Sequence, residues 1–507
     1  MIAIVVFSAV ALAVYGPTLR HDFVALDDDL LVFANPIVQT LSPATILAAF
    51  TRYDPELYIP LTFLSFQIDW LLGDGAPWAF HAANILLHTG NALLVAAIGT
   101  LLTRRRSAGL LAGLLFLTHP INAEAVAWVS ARKDLLSSFF ALCCITAWLL
   151  WRRGWEHGRR WSIACFTLGL LSKIGAAAAL PCIILIEWHE RRRYDRDFAR
   201  SIAPLLAVGV AFAAIAIGGK TTQVTLLTPA QLLLVGVQNI ALTLRHFVLP
   251  LELSPFYRHA MPVAVAAALP SLGIVAALIV MAIAARKRVP MATLAIAWFI
   301  TCLLPSMFNA AKAGDVFITS DRYAYLACGL PIIVMAFAAV RIGDLLMPFR
   351  GALRTAFAIL LVTLGGLAQG QAALWRDSRT LYEHVLRLDP GIALAHNNLA
   401  NADLAEGHIA AAEEAYRAAV ALQPTNGTMR MNLATALEKQ SLYAEAEVLL
   451  RAVIDDTPAD RAEAWYRLGN LFAVQRREAD AKTAYAMSLS IDPSFVLEAA
   501  ALDAARQ

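Results

Sequence analysis

Three carboxylates stand side by side at Asp27, Asp28 and Asp29, a few residues beyond an apolar run that begins at residue 2. Adjacent carboxylates repel, which raises the pKa of at least one of them. A carboxylate at a membrane surface can take a proton from a hydroxyl as general base, and a set of such oxygens can also hold a divalent cation. The ordinary alternative is a solvated loop or a helix cap. A second cluster runs from His119 through Glu124 to Arg132, Lys133 and Asp134. Arg132 suits a phosphate as a planar fork and Lys133 as a point charge; the same five residues could equally close a hairpin as an ion-pair network. A third cluster is Ser320-Asp321-Arg322-Tyr323-Ala324-Tyr325. There Arg322 could meet a phosphate and the tyrosines could flank a sugar or lipid, although interfacial Tyr and Arg are also common membrane anchors. Lys173 follows Leu171-Ser172, where a helix break would expose it. His81, Asn84 and His88 form an i, i+3, i+7 stripe, which reads first as helix-packing glue.

The elements that must position these groups are membrane helices. The chain is 59% hydrophobic and only 16% charged, against about 45–50% and about 25% in soluble domains. Apolar runs fit to cross a bilayer centre on residues 2–19, 79–102, 108–128, 134–151, 161–189, 201–218, 231–250, 264–285, 290–306, 322–340 and 354–372. The first lacks a basic leader and a small-residue cleavage site, so it is expected to be a retained helix. With the amino terminus inside, 18 basic residues fall in inner loops against 10 elsewhere in residues 1–372, as the positive-inside rule requires. Those 18 include Arg191, Arg192 and Arg193. The run 161–189 is long for one crossing and short for two. A hairpin at Lys173-Ile174-Gly175 is the preferred path, with 231–250 then re-entrant or on the outer surface. Ionisable groups cost about 2.5–3.5 kcal/mol in a bilayer on insertion scales, so those that remain are functional candidates.

The last 135 residues differ in kind. Residues 373–507 carry 13 Lys+Arg and 19 Asp+Glu, net −6, against +9 for the rest, which is how the whole arrives at +3. Asp389-Pro390, Gln423-Pro424, Thr457-Pro458 and Asp492-Pro493 recur at spacings of 34, 34 and 35. That is the tetratricopeptide period. Small residues let paired helices touch, the aromatics Tyr416 and Tyr485 fill the gap, and proline ends the second helix. The expected organisation is a polytopic membrane domain, 1–372, and a repeat domain, 373–507, with a half repeat from Trp375 to Leu388 and three repeats. Such arrays bind proteins or peptides; a spacer or dimerisation element is the plainer use.

The net charge of +3 argues against nucleic acid as the main partner, and none is expected. Cys143, Cys144, Cys165, Cys182, Cys302 and Cys328 all lie in apolar runs without zinc-ligand spacing, and no metal ligand set is assigned. No GxxxxGK[ST] phosphate loop occurs. Candidate acids and cations converge on the outer face without nucleotide machinery. A lipid-linked phosphate in the membrane, serving as co-substrate, is the donor this arrangement fits.

Asp22-Phe23-Val24-Ala25-Leu26-Asp27-Asp28-Asp29 followed by Asn35-Pro36 resembles the first outer loop of the transmembrane and tetratricopeptide-repeat O-mannosyltransferases and their bacterial relatives. Tyr58-Ile59-Pro60-Leu61-Thr62 and the 81–91 stretch resemble its continuation. The 119–134 segment, Leu171-Ser172-Lys173 and Asp321-Arg322-Tyr323-Ala324-Tyr325-Leu326 are similar to further blocks of that family. The resemblance spans nearly the whole chain and implies an all-α GT-C fold of about eleven membrane helices. It implies transfer of a sugar such as mannose from a polyprenyl-phosphate carrier to a protein Ser/Thr hydroxyl, with inversion. It assigns the acidic pair to Asp27 and Asp28, with Asp29 adjoining. Arg132, Lys133, Lys173 and Arg322 become the phosphate-side cations, oriented by Glu124 and Asp134. Ile174 stands where relatives often carry an acid after the Ser-Lys pair. The excess of Arg over Lys (34 against 7) and the short loops fit a bacterial inner membrane, with the repeats in the periplasm. The competing reading is a non-catalytic, membrane-anchored scaffold that recruits envelope proteins. A transporter would need an internal duplication, and none is evident before residue 372.

Overall fold

The structure, a computed structural model, describes residues 1–53, 57–191, 194–219, 227–259, 264–309, 311–312 and 315–493. Arg192 and Arg193 of the expected basic turn, and residues 494–507 of the expected repeat domain, lie outside them. Contacts divide the chain into two units. The first comprises Met1–Lys312 and Val316–Asp377, and the second holds the repeats from Ser378 onward.

The principal helices of the first unit are α1 (Ile2–Tyr15), α2 (Pro60–Gly73), α3 (Pro77–Thr103), α4 (Arg106–Thr118), α5 (Arg132–Trp151), α6 (Gly158–Ser172), α7 (Ala179–Arg191), α8 (Arg196–Gly218), α9 (Pro229–Val248), α10 (Val265–Ala285), α11 (Pro290–Leu303), α12 (Gly329–Leu345) and α13 (Arg350–Ala373). Among the described residues seven stretches are long and apolar enough to cross a membrane: Ile2–Arg20, Pro77–Thr103, Val129–Trp151, Arg196–Gly218, Val265–Ala285, Pro290–Met307 and Met347–Ala373. Two pairs bent by 57°, α4 with Pro120–Ala127 and Asp321–Ala327 with α12, bring the number to nine. The chain is a multi-pass membrane protein.

All eleven apolar runs are helical, and two of them fall short of a crossing for physical reasons. The run 161–189 breaks. α6 stops at Ser172, Lys173 is extended (φ −168°, ψ 140°), residues 174–178 form a 3-10 turn, and α7 begins at Ala179. Both halves pack along α5. The run 231–250 is α9, whose inner side is polar: Gln238, Asn239, Thr243 and His246 are buried. Asn239 Nδ2 donates to Ser306 Oγ at 2.6 Å, and Gln238 Nε2 to the Ala267 carbonyl at 3.3 Å.

Small residues set the closest helix approach. A Cβ on Gly113 of α4 would lie 2.6 Å from the Ala92 carbonyl oxygen of α3 and 2.7 Å from the Phe7 ring of α1. Such positions let membrane helices gain dispersion contacts that larger side chains would block.

The segment between α1 and α2 is folded. Asn35 caps the short helix Pro36–Gln39 by accepting from the Ile37 amide at 2.9 Å, as an N-cap asparagine should. Ser42 and Thr45 form a capping box on Pro43–Thr51. Leu31, Val32, Val38 and Ala49 pack with Phe63 and Phe66 of α2, Phe80 of α3 and Val129. That cluster fixes the aspartate run against the start of α5.

The repeat unit holds α14 (Ser378–Leu388), then the pairs α15 (Ala393–Ala405) with α16 (Ile409–Leu422), α17 (Gly427–Lys439) with α18 (Tyr443–Asp456), and α19 (Arg461–Val474) with α20 (Glu478–Ile491). Ala400, Ala412, Tyr416, Ala446, Leu468 and Tyr485 share its core. Tyr416 donates to Asn401 at 2.6 Å and Tyr485 to Asn470 at 2.8 Å, each hydroxyl bridging the two helices of its pair. Trp375 belongs to the first unit, stacked on Trp128 with ring centroids 5.6 Å apart.

Candidate active site

The three aspartates do three different things. Asp28 is 1% exposed. Its Oδ2 accepts from the Val24 amide at 2.9 Å, and its Oδ1 from the Ser130 amide at 2.9 Å and the Ser130 hydroxyl at 2.5 Å. Burial pushes its pKa up to about 6, against the pull of those three donors. Asp28 thus pins the loop to the turn that opens α5. Asp27 points to the other side, with 25% of its side chain exposed, and meets Lys133 Nζ at 3.3 Å. Asp29 opens the following π-turn (Asp29–Phe33). Among the described residues no set of three His, Cys, Asp or Glu is arranged to hold a metal ion.

From Lys133 a chain of charges and rings leads inward. Lys133 Nζ lies 4.7 Å from the Trp128 ring centroid, and the Arg322 guanidinium 4.9 Å from the same centroid. Arg322 Nη1 donates to Glu124 Oε1 at 2.6 Å, and its backbone amide to Glu124 Oε2 at 3.1 Å. Ser320 Oγ donates to the same carboxylate at 3.3 Å. The Arg322 guanidinium also covers the Tyr323 ring at 4.8 Å, and Lys173 Nζ reaches that ring at 5.8 Å. Lys173 ends on Asp134 Oδ1 at 2.5 Å. Asp27, Lys133, Trp128, Glu124, Arg322, Tyr323, Lys173 and Asp134 therefore form one assembly.

A cavity of about 210 Å³ opens beside it, lined by Asp134, Ser137, Lys173, the 174–178 turn, Arg322 and Tyr323, among others. Arg322 Nε and Asp134 Oδ2 are buried, with no hydrogen-bond partner among the described residues. The wall itself carries the cations Lys173 and Arg322 beside the Asp134 carboxylate and the Ser137 hydroxyl, residue types that can bind an oxyanion and a hydroxyl together.

Four candidate residues are engaged elsewhere. Arg132, 1% exposed, donates to Asn84 at 2.5 Å, Ser65 at 3.2 Å and the Phe80 carbonyl at 2.8 Å, and pairs with Asp69 at 2.7 Å. Its fork is spent joining α2, α3 and α5, away from the cavity. His119 stacks on Phe247 at 5.3 Å and bonds its carbonyl at 3.0 Å. Asp321 accepts from Tyr257 at 2.9 Å and the Ser254 amide at 2.9 Å, and faces His246 at 3.4 Å. Tyr325 touches the cavity wall, but its hydroxyl meets His88 Nδ1 at 2.7 Å and Asn91 at 3.0 Å. In the stripe on α3, Asn84 and His88 are packing glue of this kind.

Ser130, Trp128, Tyr257, Ser137 and Ser138 were not singled out from the sequence. Ser137 and Ser138 follow Asp134 by three and four positions in an apolar helix, spacing that puts them on its face. That signal was readable. Tyr257 has none, because only the fold brings it to Asp321.

A tetratricopeptide repeat family model matches residues 363–427, 398–461 and 431–494. Protein O-mannosyl-transferase Tmtc2 of Drosophila melanogaster is 41% identical over 136 residues, covering 25% of this chain and 14% of that protein. Human protein O-mannosyl-transferase TMTC2 is 32% identical over 157 residues, covering 29% of this chain and 19% of that protein. The matches thus span less than a fifth of the length of these two relatives. The solved structure of ArnT from Cupriavidus metallidurans bound to undecaprenyl phosphate is similar at a TM-score of 0.39 and 16% identity, covering 92% of this chain and 80% of that one. This chain is a multi-pass helical membrane protein with a tetratricopeptide-repeat carboxyl-terminal part, and its homologues include TMTC protein O-mannosyltransferases.

Proposed function

We propose that the chain is a membrane glycosyltransferase that moves a hexose such as mannose from a polyprenyl-phosphate donor to a protein Ser/Thr hydroxyl. The observation that carries this reading is the cavity lined by Lys173, Arg322 and Asp134, linked through the Trp128 ring and Lys133 to a partly exposed Asp27. The donor phosphate sits against Arg322 and Lys173. Asp27 takes the acceptor's proton, the hydroxyl oxygen attacks the anomeric carbon from the opposite face, and the carbon–oxygen bond to phosphate breaks with its electron pair leaving on the phosphate. The fixed cations stabilise that charge as it develops. Asp28, already bound by three donors, is a positioning residue, so Asp27 is the base. Glu124 and Asp134 hold the cations in place. The reaction face in this reading is the outer one, which the excess of basic residues in the inner loops supports, and the repeats present the acceptor on that side of a bacterial inner membrane. No metal is assigned a role.

Intact-mass analysis of envelope proteins, with and without the active chain, tests the reading. Added hexose that disappears in Asp27→Asn supports it; unchanged glycosylation in Asp27→Asn and in Asp27→Asn/Asp28→Asn overturns it.

One observation favours the scaffold reading: Lys133, Lys173 and Arg322 each already hold a carboxylate, as a purely structural network would. A scaffold loses all function when residues 380–507 are deleted, whereas the transferase keeps transfer to small acceptors.

A further inference from the structure

The far ends of two helices from the candidate site meet at a second cavity. α7 and α11 pack together. Residues near the start of α7 and the end of α11, Ala178 and Cys302, line the first cavity. Trp188 and His189 of α7, Pro290 of α11 and Arg286 and Lys287 of the α10–α11 turn line the second, about 170 Å³ in volume. Pro290 and Cys302 are twelve residues apart on α11, so the two cavities lie about 18 Å apart along it.

Its surroundings favour an anion. Arg286 donates to the Ile283 carbonyl at 2.8 Å, and neither Arg286 nor Lys287 has a carboxylate partner among the described residues. The nearby carboxylates of α7 are taken: Glu187 by Arg152 at 2.8 Å and by Trp148 at 3.0 Å, and Glu190 by Arg153 at 3.5 Å. The surroundings also favour an anion that carries acyl chains. Ile279, Val280 and Ile283 on the last turns of α10 are exposed, and they lead along the helix to Arg286. An indole beside two cations, at the end of a lipid-facing helix, is headgroup-level chemistry.

We propose that this cavity is a binding site for the headgroup phosphate of an anionic phospholipid, with the acyl chains laid along α10. It lies at the end of the bundle opposite the candidate active site and does not depend on what that site does. Arg286 and Lys287 hold the phosphate, and Trp188 packs against the glycerol backbone.

The test uses the full-length protein in detergent, titrated with phosphatidylglycerol or phosphatidylcholine and read by native mass spectrometry. Wild type retains phosphatidylglycerol in preference to phosphatidylcholine. Arg286→Gln/Lys287→Gln weakens that binding at least about tenfold, from about 1 kcal/mol for each basic residue near an anionic surface. Arg159→Gln/Arg160→Gln, which removes as much charge from the start of α6, leaves it unchanged. Equal retention by the Arg286/Lys287 variant and wild type overturns the site. Displacement by an equal concentration of inorganic phosphate overturns the lipid assignment, because a bare anion would then suffice.

Discussion

Neighbouring acids of one type acquire separate roles because the turn that leads into Asp29–Phe33 rotates them to different partners. Asp27→Asn should lower transfer by about 10²–10⁴-fold, the span of general-base contributions, as measured on a synthetic lipid-phosphate donor, with insertion retained and thermal stability reduced only modestly, because the buried Lys133 loses a partly exposed carboxylate. Asp28 answers to pH. Its folded pKa of about 6 lies above the ordinary carboxylate value. Between about pH 4 and 6 the folded protein therefore holds a proton that the unfolded chain has lost, and stability falls as pH rises through that window. The thermal midpoint of the solubilised protein should show this fall, and Asp28→Asn should remove it. Arg132 belongs to the frame: Arg132→Leu leaves Asp69 buried without its cation, a loss of about 3–5 kcal/mol, read as a collapse of thermal stability. At this scale the sequence exposed which residue types were out of place in an apolar background. It could not tell Arg132 from Lys133, because adjacent helix positions face different neighbours and only the packed helices reveal that one meets Asp69 and the other Asp27 and Trp128.

Elements were more legible than residues, and the two apolar runs that do not cross are those that polarity interrupts. The tetratricopeptide period and the long apolar runs need no tertiary information. The break at Lys173 was announced by Ser172-Lys173-Ile174-Gly175, a charge and a glycine in the middle of an apolar stretch. α9 was harder. Its buried Gln238 and Asn239 look like ordinary loss of hydropathy until their partners on other segments are seen, with Thr243 bonded to Asn239 one turn away. Close approach of α3 and α4 gives a further prediction. Gly113→Leu inserts a side chain where even a Cβ would press on the Ala92 carbonyl, so it should cost several kcal/mol by overpacking, about 1–3 or more. Thermal denaturation in detergent would show it, while Gly351→Leu, in open space, should be neutral.

For the whole molecule, the division at Asp377/Ser378 has a functional reading. Trp375 is stacked on Trp128, so a truncation after residue 377 keeps the membrane unit's packing intact, and one after residue 372 removes it. The first should insert and stay monodisperse in detergent with transfer to short peptides retained and transfer to folded proteins lost; the second should lose stability as well. Composition already separated the two parts by charge, but the boundary itself depended on one aromatic stack that no periodicity marks.

The break after Ser172 also has a mechanical side. α6 and α7 have 15 and 13 residues, so each reaches only about 20 Å, against a hydrocarbon layer of about 30 Å. Where lipid meets these short helices directly, matching their length costs a fraction of a kcal/mol for each ångström of mismatch. Elastic strain in the bilayer then bears on the helix ends that carry Lys173. Turnover in this protein should depend on acyl-chain length, rising in short-chain lipids that relieve the strain and falling in long-chain ones, at fixed headgroup.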